Sequence, residues 1–136
     1  MPEISRERWV AWAAGFIDGE GCVALVRDTT RGTYVRLSVG QRTREPLTFL
    51  CELFGGSIHQ EKTRPMWKWV VSHRTASKAL TELLPYLVVK QDQAALALRF
   101  QSRRRVGGKR GAVNPQQDDQ DYLTMKALKR PWLAYA

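Results

Sequence analysis

The feature that most restricts how this chain can fold is an alternation between two hydrophobic periods. Val10, Ala13, Ala14 and Ile17 recur at helical spacing, behind Ser5 as an N-cap and Glu7 in the first turn. At Gly19 the pattern changes. A period of two runs through residues 22–27 and, after the turn DTTRGT, through YVRLSVGQ, which places Val35, Leu37 and Val39 on one face. The same pair of patterns then returns. EPLTFLCELFGG predicts a helix with Pro46 in its first turn and glycine after its end. GSIHQEK and MWKWVVSH predict a second hairpin around TRP, and TASKALTELLPYL a helix stopped near Pro85. KQDQAALALRFQSRRR reads as a further helix whose basic end suits its negative pole. The basic loop VGGKRGAVNP and a last helix in PQQDDQDYLTMKALKR follow. The expected order is α-ββ-α-ββ-α with C-terminal helices, an α+β fold whose halves share an architecture without sharing a sequence. With 136 residues and 43% hydrophobic composition, one core is expected, not two. Residues 1–136 therefore read as a single domain, with its core at about 5–105 and the loop and last helix at 106–136.

A formal net charge of +9 points to a polyanionic partner, and nucleic acid is the common one inside cells. No apolar run approaches the ~18–20 residues of a membrane span, and MPEISRERW lacks the apolar core of a signal peptide. An intracellular protein of the cytoplasm or nucleoid is expected, with neither a membrane nor a small-molecule substrate as partner. Arginine outnumbers lysine while isoleucine and asparagine are scarce, which favours a GC-rich bacterial or phage source over an organelle. Cys22 and Cys51, without paired spacing and with only two histidines to join them, suit neither a disulfide framework nor a zinc site.

The first helix carries two further signals. Ala11, Gly15 and Gly19 stand four residues apart, a stripe without bulk that lets another backbone approach closely. Packing inside one monomer is the simpler reading of that stripe alone. Just beyond it, however, Asp18 and Glu20 sit at the helix end whose free carbonyls already carry partial negative charge. If two copies of the helix pack side by side in the same direction, the acids converge, and repulsion forbids this unless cations lie between them. Divalent metals held by carboxylate oxygens would supply the charge.

Residues 13–21, AAGFIDGEG, resemble the LAGLIDADG motif of the homing endonucleases, with alanine for the first leucine, phenylalanine at the fourth position, and Gly and Glu exchanged for the later Ala and Asp. The α-ββ-α-ββ-α order is similar to that family's core fold with its four-stranded antiparallel DNA-binding saddle, and PYLVVKQ resembles its stretch ending in a pocket lysine. The resemblance spans roughly residues 5–105 and contains one motif. It implies a homodimeric, metal-dependent endonuclease that hydrolyses double-stranded DNA at a long pseudo-palindromic site and leaves short 3′ overhangs, with intron homing as its biological setting. It implies Glu20 and the Gly19 carbonyl as metal ligands, and Glu20, Gln41 and Lys90 as catalytic residues. Asp18 would shape the helix end, and Ala11, Trp12, Gly15, Asp18 and Gly19 would form the dimer interface. Mg²⁺ is the implied cofactor, with Mn²⁺ able to substitute and Ca²⁺ binding without cleavage. Glu45 stands where some relatives carry a basic pocket residue.

A strand of ~8 residues covers about 26 Å, close to the rise of ~8 base pairs. The outer face of the saddle is expected to offer Cys22, Ala24, Val26 and Asp28 from the first strand, and Tyr34, Arg36 and Ser38 from the second, with Arg42 beyond it. His59 and Glu61 follow from the third strand and Lys68 from the fourth, if Trp67, Trp69 and Val71 face the core. Arg103, Arg104, Arg105, Lys109 and Arg110 are expected to touch phosphates, against the simpler reading of a solvated helix end. The alternative to an endonuclease is a binding protein that keeps the fold without cutting, such as an RNA maturase or a DNA-binding regulator. A basic structural protein would explain the charge and not the carboxylates.

Overall fold

Helix α1, Arg6–Glu20, begins where Ser5 Oγ accepts the Arg8 N–H at 3.2 Å. In the computed structural model, which describes residues 1–30, 32–104 and 114–130, it leads into strands β1, Gly21–Val26, and β2, Tyr34–Gln41. Helix α2, Glu45–Phe54, strands β3, Ser57–Gln60, and β4, Trp67–Ser72, and helix α3, His73–Leu83, repeat the pattern. A 3-10 turn at Leu84–Tyr86 then joins α4, Gln91–Ser102, and α5, Pro115–Lys129, completes the described chain. The α-ββ-α-ββ-α order expected from the hydrophobic periods is the observed one.

The strands form one antiparallel sheet in the order β1-β2-β4-β3. Its register aligns Val23 with Leu37 and Val71, and Val39 with Trp69. These side chains are buried against Ala13, Ala14 and Ile17 of α1, Leu47 and Leu50 of α2, Ala76 and Leu80 of α3, and Ala94, Ala97 and Phe100 of α4. The period of two therefore puts its apolar phase on the helices. The opposite phase brings Cys22, Ser38 and Val70 into one row, Ala24, Arg36 and Ser72 into the next, and Gly40, Lys68 and His59 into a third.

Trp69 settles the phase of β4, for it is fully buried and its Nε1–H donates to the Gly55 carbonyl at 2.8 Å. That contact depends on two left-handed glycines, Gly55 at φ 77° and Gly56 at φ 93°. A Cβ on Gly56 would lie 2.5 Å from both the Val70 carbonyl oxygen and Val71 Cγ1. Gly56→Ala is therefore expected to lower unfolding free energy by about 2–4 kcal/mol, through backbone strain and overpacking together. Urea denaturation checks this, and an unchanged midpoint would mean that the turn can shift to make room.

Three expectations about the outer face and the basic tail are corrected. β1 stops at Val26, and Asp28 lies in the following turn, where Oδ1 accepts from the Thr30 N–H at 2.9 Å and its hydroxyl at 2.7 Å. Aspartate competes for the local backbone in this way and ends strands. Glu61 likewise falls after β3 and pairs with Arg64 at 2.8 Å across the turn. Arg103 and Arg104 are not free for phosphates. Arg103 binds Asp121 and lies 3.5 Å from Asp118, while Arg104 pairs with Asp118 at 3.2 Å and donates to the Thr33 carbonyl. The two α5 carboxylates are almost wholly buried, so each needs a cationic partner, and the end of α4 supplies it. Arg105, Lys109 and Arg110 lie outside the described residues.

Candidate functional site

The turn from α1 into β1 is tight. The Gly21 N–H closes the helix on the Ile17 carbonyl, and a Cβ at Gly21 would lie 2.8 Å from that oxygen, so glycine is needed there. One carbonyl further on, the Asp18 oxygen accepts from Lys90 Nζ at 2.6 Å. The Asp18 carboxylate in turn accepts the Val88 N–H at 2.8 Å and the Lys90 N–H at 3.0 Å, at the entrance to α4. Each charge is misplaced on its own helix and well placed on the other's. Asp18 sits at the positive N-terminus of α4, and the Lys90 ammonium at the negative C-terminus of α1. Asp18 thus has a task within its own chain.

Glu20 has none. It is exposed as the last residue of α1, and its carboxylate bonds no described residue. No described donor meets the Gly19 carbonyl either. Because Gly21 pairs with Val39, Gln41 stands two residues further along β2, level with the end of α1. Glu20, the Gly19 carbonyl and the Lys90 ammonium therefore share one helix terminus, and half-buried Gln41 ends the strand whose Val39 pairs with the residue after it.

The small-residue stripe faces outward. Ala11, Gly15 and Gly19 are exposed, and a Cβ on either glycine would find nothing within 4 Å. The reading of the stripe as packing inside one monomer is therefore overturned. Beside it Trp12, 36% exposed, stacks on Phe16 at 5.3 Å and meets Trp9 and Phe49 edge-on, an apolar flank next to the bare backbone.

Oxygen donors at the helix terminus suit a hard divalent cation. No group of three or more His, Cys, Asp and Glu side chains that could hold a metal occurs among the described residues. With Asp18 engaged by two N–H groups, the described residues at this helix terminus offer one unpaired carboxylate, Glu20, plus the Gly19 carbonyl. A cation held there would need further ligands from a second copy, a phosphate or water.

On the outer face of the sheet, Cys22, Val26, Tyr34, Arg36 and Lys68 are half-buried and His59 is exposed, as is Arg42 just past the end of β2. Ala24 at 7% and Ser38 at 4% form the floor and offer almost no surface. Alternation fixes the face a side chain takes and not its depth. Sequence reasoning missed His73, which has φ 55° and stacks on Tyr34 with ring centroids 4.8 Å apart. Its left-handed conformation, uncommon without glycine, leaves no mark in a hydrophobic pattern.

A family model describing LAGLIDADG endonucleases matches residues 13–97, which include both the helix terminus and Lys90. This chain belongs to the LAGLIDADG endonuclease family. Among curated protein sequences, none matches it. Solved LAGLIDADG structures share its fold. The homing endonuclease I-CvuI superposes with a TM-score of 0.68 at 20% identity, over 89% of this chain and 96% of that one. The archaeal intron-encoded I-Vdi141I gives 0.64 at 14% identity, over 92% and 99%. I-SmaMI gives 0.60 at 18% identity and covers 95% of this LAGLIDADG chain but 46% of its own. At these identities the structures establish the fold alone.

Proposed function

We propose that this LAGLIDADG protein is a homing endonuclease, a site-specific double-strand DNA hydrolase. It acts as a homodimer on a long pseudo-palindromic site, with divalent metal at the dimer axis, Mg²⁺ by preference, and leaves short 3′ overhangs. The observation that carries the reading is the junction of an outward small-residue stripe with an unpaired carboxylate, Glu20, at the stripe's end. Two copies joined along that stripe would bring both Glu20 side chains together. Family membership supports the chemistry, and the structural relatives include I-CvuI in complex with DNA targets in the presence of Ca or of Mg, uncleaved in the latter, and I-Vdi141I complexed with DNA.

Glu20 and the Gly19 carbonyl would hold the cation. Bound there, it supplies neutralisation of the phosphate and a water of lowered pKa. The chain's own residues do the remainder. Asp18 fixes the entrance to α4 and so fixes Lys90, whose ammonium stays at the end of α1 through the Asp18 carbonyl. A lysine held in this way stabilises negative charge growing on a phosphate oxygen without reorganising as the charge develops. Gln41 offers an amide that donates and accepts, as orienting a water requires.

Lys90→Met keeps the backbone N–H that meets Asp18 and removes only the ammonium. Single-turnover cleavage is expected to fall about a hundredfold, with duplex affinity within a few-fold of wild type. A wild-type rate would take Lys90 out of the reaction. Selection from a randomised duplex library with Mg²⁺ tests the function as a whole. A pseudo-palindromic, cleaved consensus is expected, whereas bound and uncut duplex would favour the non-cleaving alternative.

A further inference from the structure

Arg103 and Arg104 are taken up by the acids of α5, yet the last turns of that helix carry cations with no such partner. Lys126, Lys129 and Arg130 form no ion pair with any described residue. With Leu25, Tyr122 and Met125 they line a cleft of about 210 Å³ that contains no acid. Helix α5 runs along β1 in the opposite direction: its Asp119 meets Arg27, next to the far end of β1, at 3.3 Å, and its Lys129 reaches Cys22 near the start. The Lys129 ammonium lies 3.2 Å from Cys22 Sγ, on the residue row that belongs to the outer face of the sheet and two residues after Glu20. Tyr122 is covered by Arg27, 3.9 Å from its ring centre, and by Lys126 at 4.8 Å, which holds the Lys126 side chain over the ring. The helix dipole accounts for bases at the end of α5. It does not account for Lys129 reaching towards the outer row of β1.

We propose that Lys126, Lys129 and Arg130 form a phosphate clamp that grips the DNA backbone beside the cleaved position, off the edge of the sheet and outside the set of base-reading strands. The clamp rests on the reading of the protein as a duplex-DNA enzyme and adds a second contact surface to it. Exposed Lys126 and Arg130 and half-buried Lys129, grouped without acidic partners at one helix end, suit a chain of phosphates and carry no sequence information. The first half of α5 is acidic and locks the helix to α4, so its basic half is presented at a fixed place.

The test is the salt dependence of binding, measured by fluorescence anisotropy on the selected duplex and on a scrambled one of equal length. Each phosphate contact contributes about 0.9 to the slope of log K against log salt and roughly tenfold in affinity near 0.1 M salt. The triple variant Lys126→Gln, Lys129→Gln, Arg130→Gln, which removes three such contacts from each of two copies, should lose about 5 units of slope on both duplexes, with its base preferences unchanged. Arg130→Gln alone, a change at an exposed residue past the helix end, should lose about two units, one from each copy, even if the triple variant folds poorly. Lys78→Gln, on exposed α3 surface, should leave the slope unaltered. An unchanged slope in Arg130→Gln and the triple variant, a loss confined to the selected duplex, or an equal loss in Lys78→Gln would overturn the clamp while leaving the endonuclease reading intact. Failure of the wild-type protein to bind any duplex would overturn both.

Discussion

Glu20→Gln is expected to bind its target duplex at least as tightly as wild type and to lose cleavage with Mg²⁺ by a factor of about a thousand or more. The substitution keeps the shape of the side chain and removes its charge. Because the Glu20 carboxylate bonds no described residue, the fold should not register the change, with unfolding free energy within about 0.5 kcal/mol of wild type. Binding should improve slightly if anything, since a negative charge near phosphates has been removed from each subunit. Cleavage has no such tolerance, for an amide is a far poorer ligand for a hard cation than a carboxylate, and a dimer would lose both. Single-turnover assays on a bound duplex, with a thermal melt of the same preparation, separate these effects. A variant that cuts at the wild-type rate would remove Glu20 from the mechanism.

Gly15→Leu tests the other half of the account with the opposite signature. Nothing in the chain lies within 4 Å of the added Cβ, and leucine is a better helix former than glycine by roughly 0.7–1 kcal/mol. The isolated fold should therefore be unharmed and its α1 helix strengthened. If two α1 helices meet backbone to backbone along Ala11, Gly15 and Gly19, a leucine at the middle position holds them apart. Sedimentation velocity at micromolar concentration should give a folded monomer where wild type gives a dimer, and double-strand cleavage should disappear with the dimer. A dimeric Gly15→Leu protein that still cuts would place the subunit contact elsewhere.

Most of the fold was legible because it is written in hydrophobic periods that do not depend on distant partners. Val35, Leu37 and Val39 announced the buried face of β2, and the tryptophans of β4 took the phase their size favours. Glu20, Gln41 and Lys90 were legible only through resemblance to a motif. What brings them together was not legible, because the exchange between Asp18 and Lys90 joins residues 72 positions apart, and neither side chain suits the helix on which it sits. The basic tail failed for a related reason. Arg103 and Arg104 look solvated in a run of like charges until α5 folds back and buries Asp118 and Asp121 against them. Among the described residues of the tail, the cations without an acidic partner are Lys126, Lys129 and Arg130, which from sequence alone are an ordinary helix C-terminus. Ala24 and Ser38 were assigned the right face and too much surface, since burial at the floor of a sheet depends on neighbouring strands.

The central claim is that two α1 helices meet and share metal between their Glu20 side chains. A crystal of the wild-type protein with its selected duplex and Mn²⁺, read by anomalous scattering, tests it most directly. The account predicts ion peaks at the pseudo-twofold axis, bounded by Glu20 oxygens from both copies and by phosphate oxygens of the duplex. Ion peaks elsewhere, or none, with Glu20 directed into solvent and α1 apart from its copy, would contradict it.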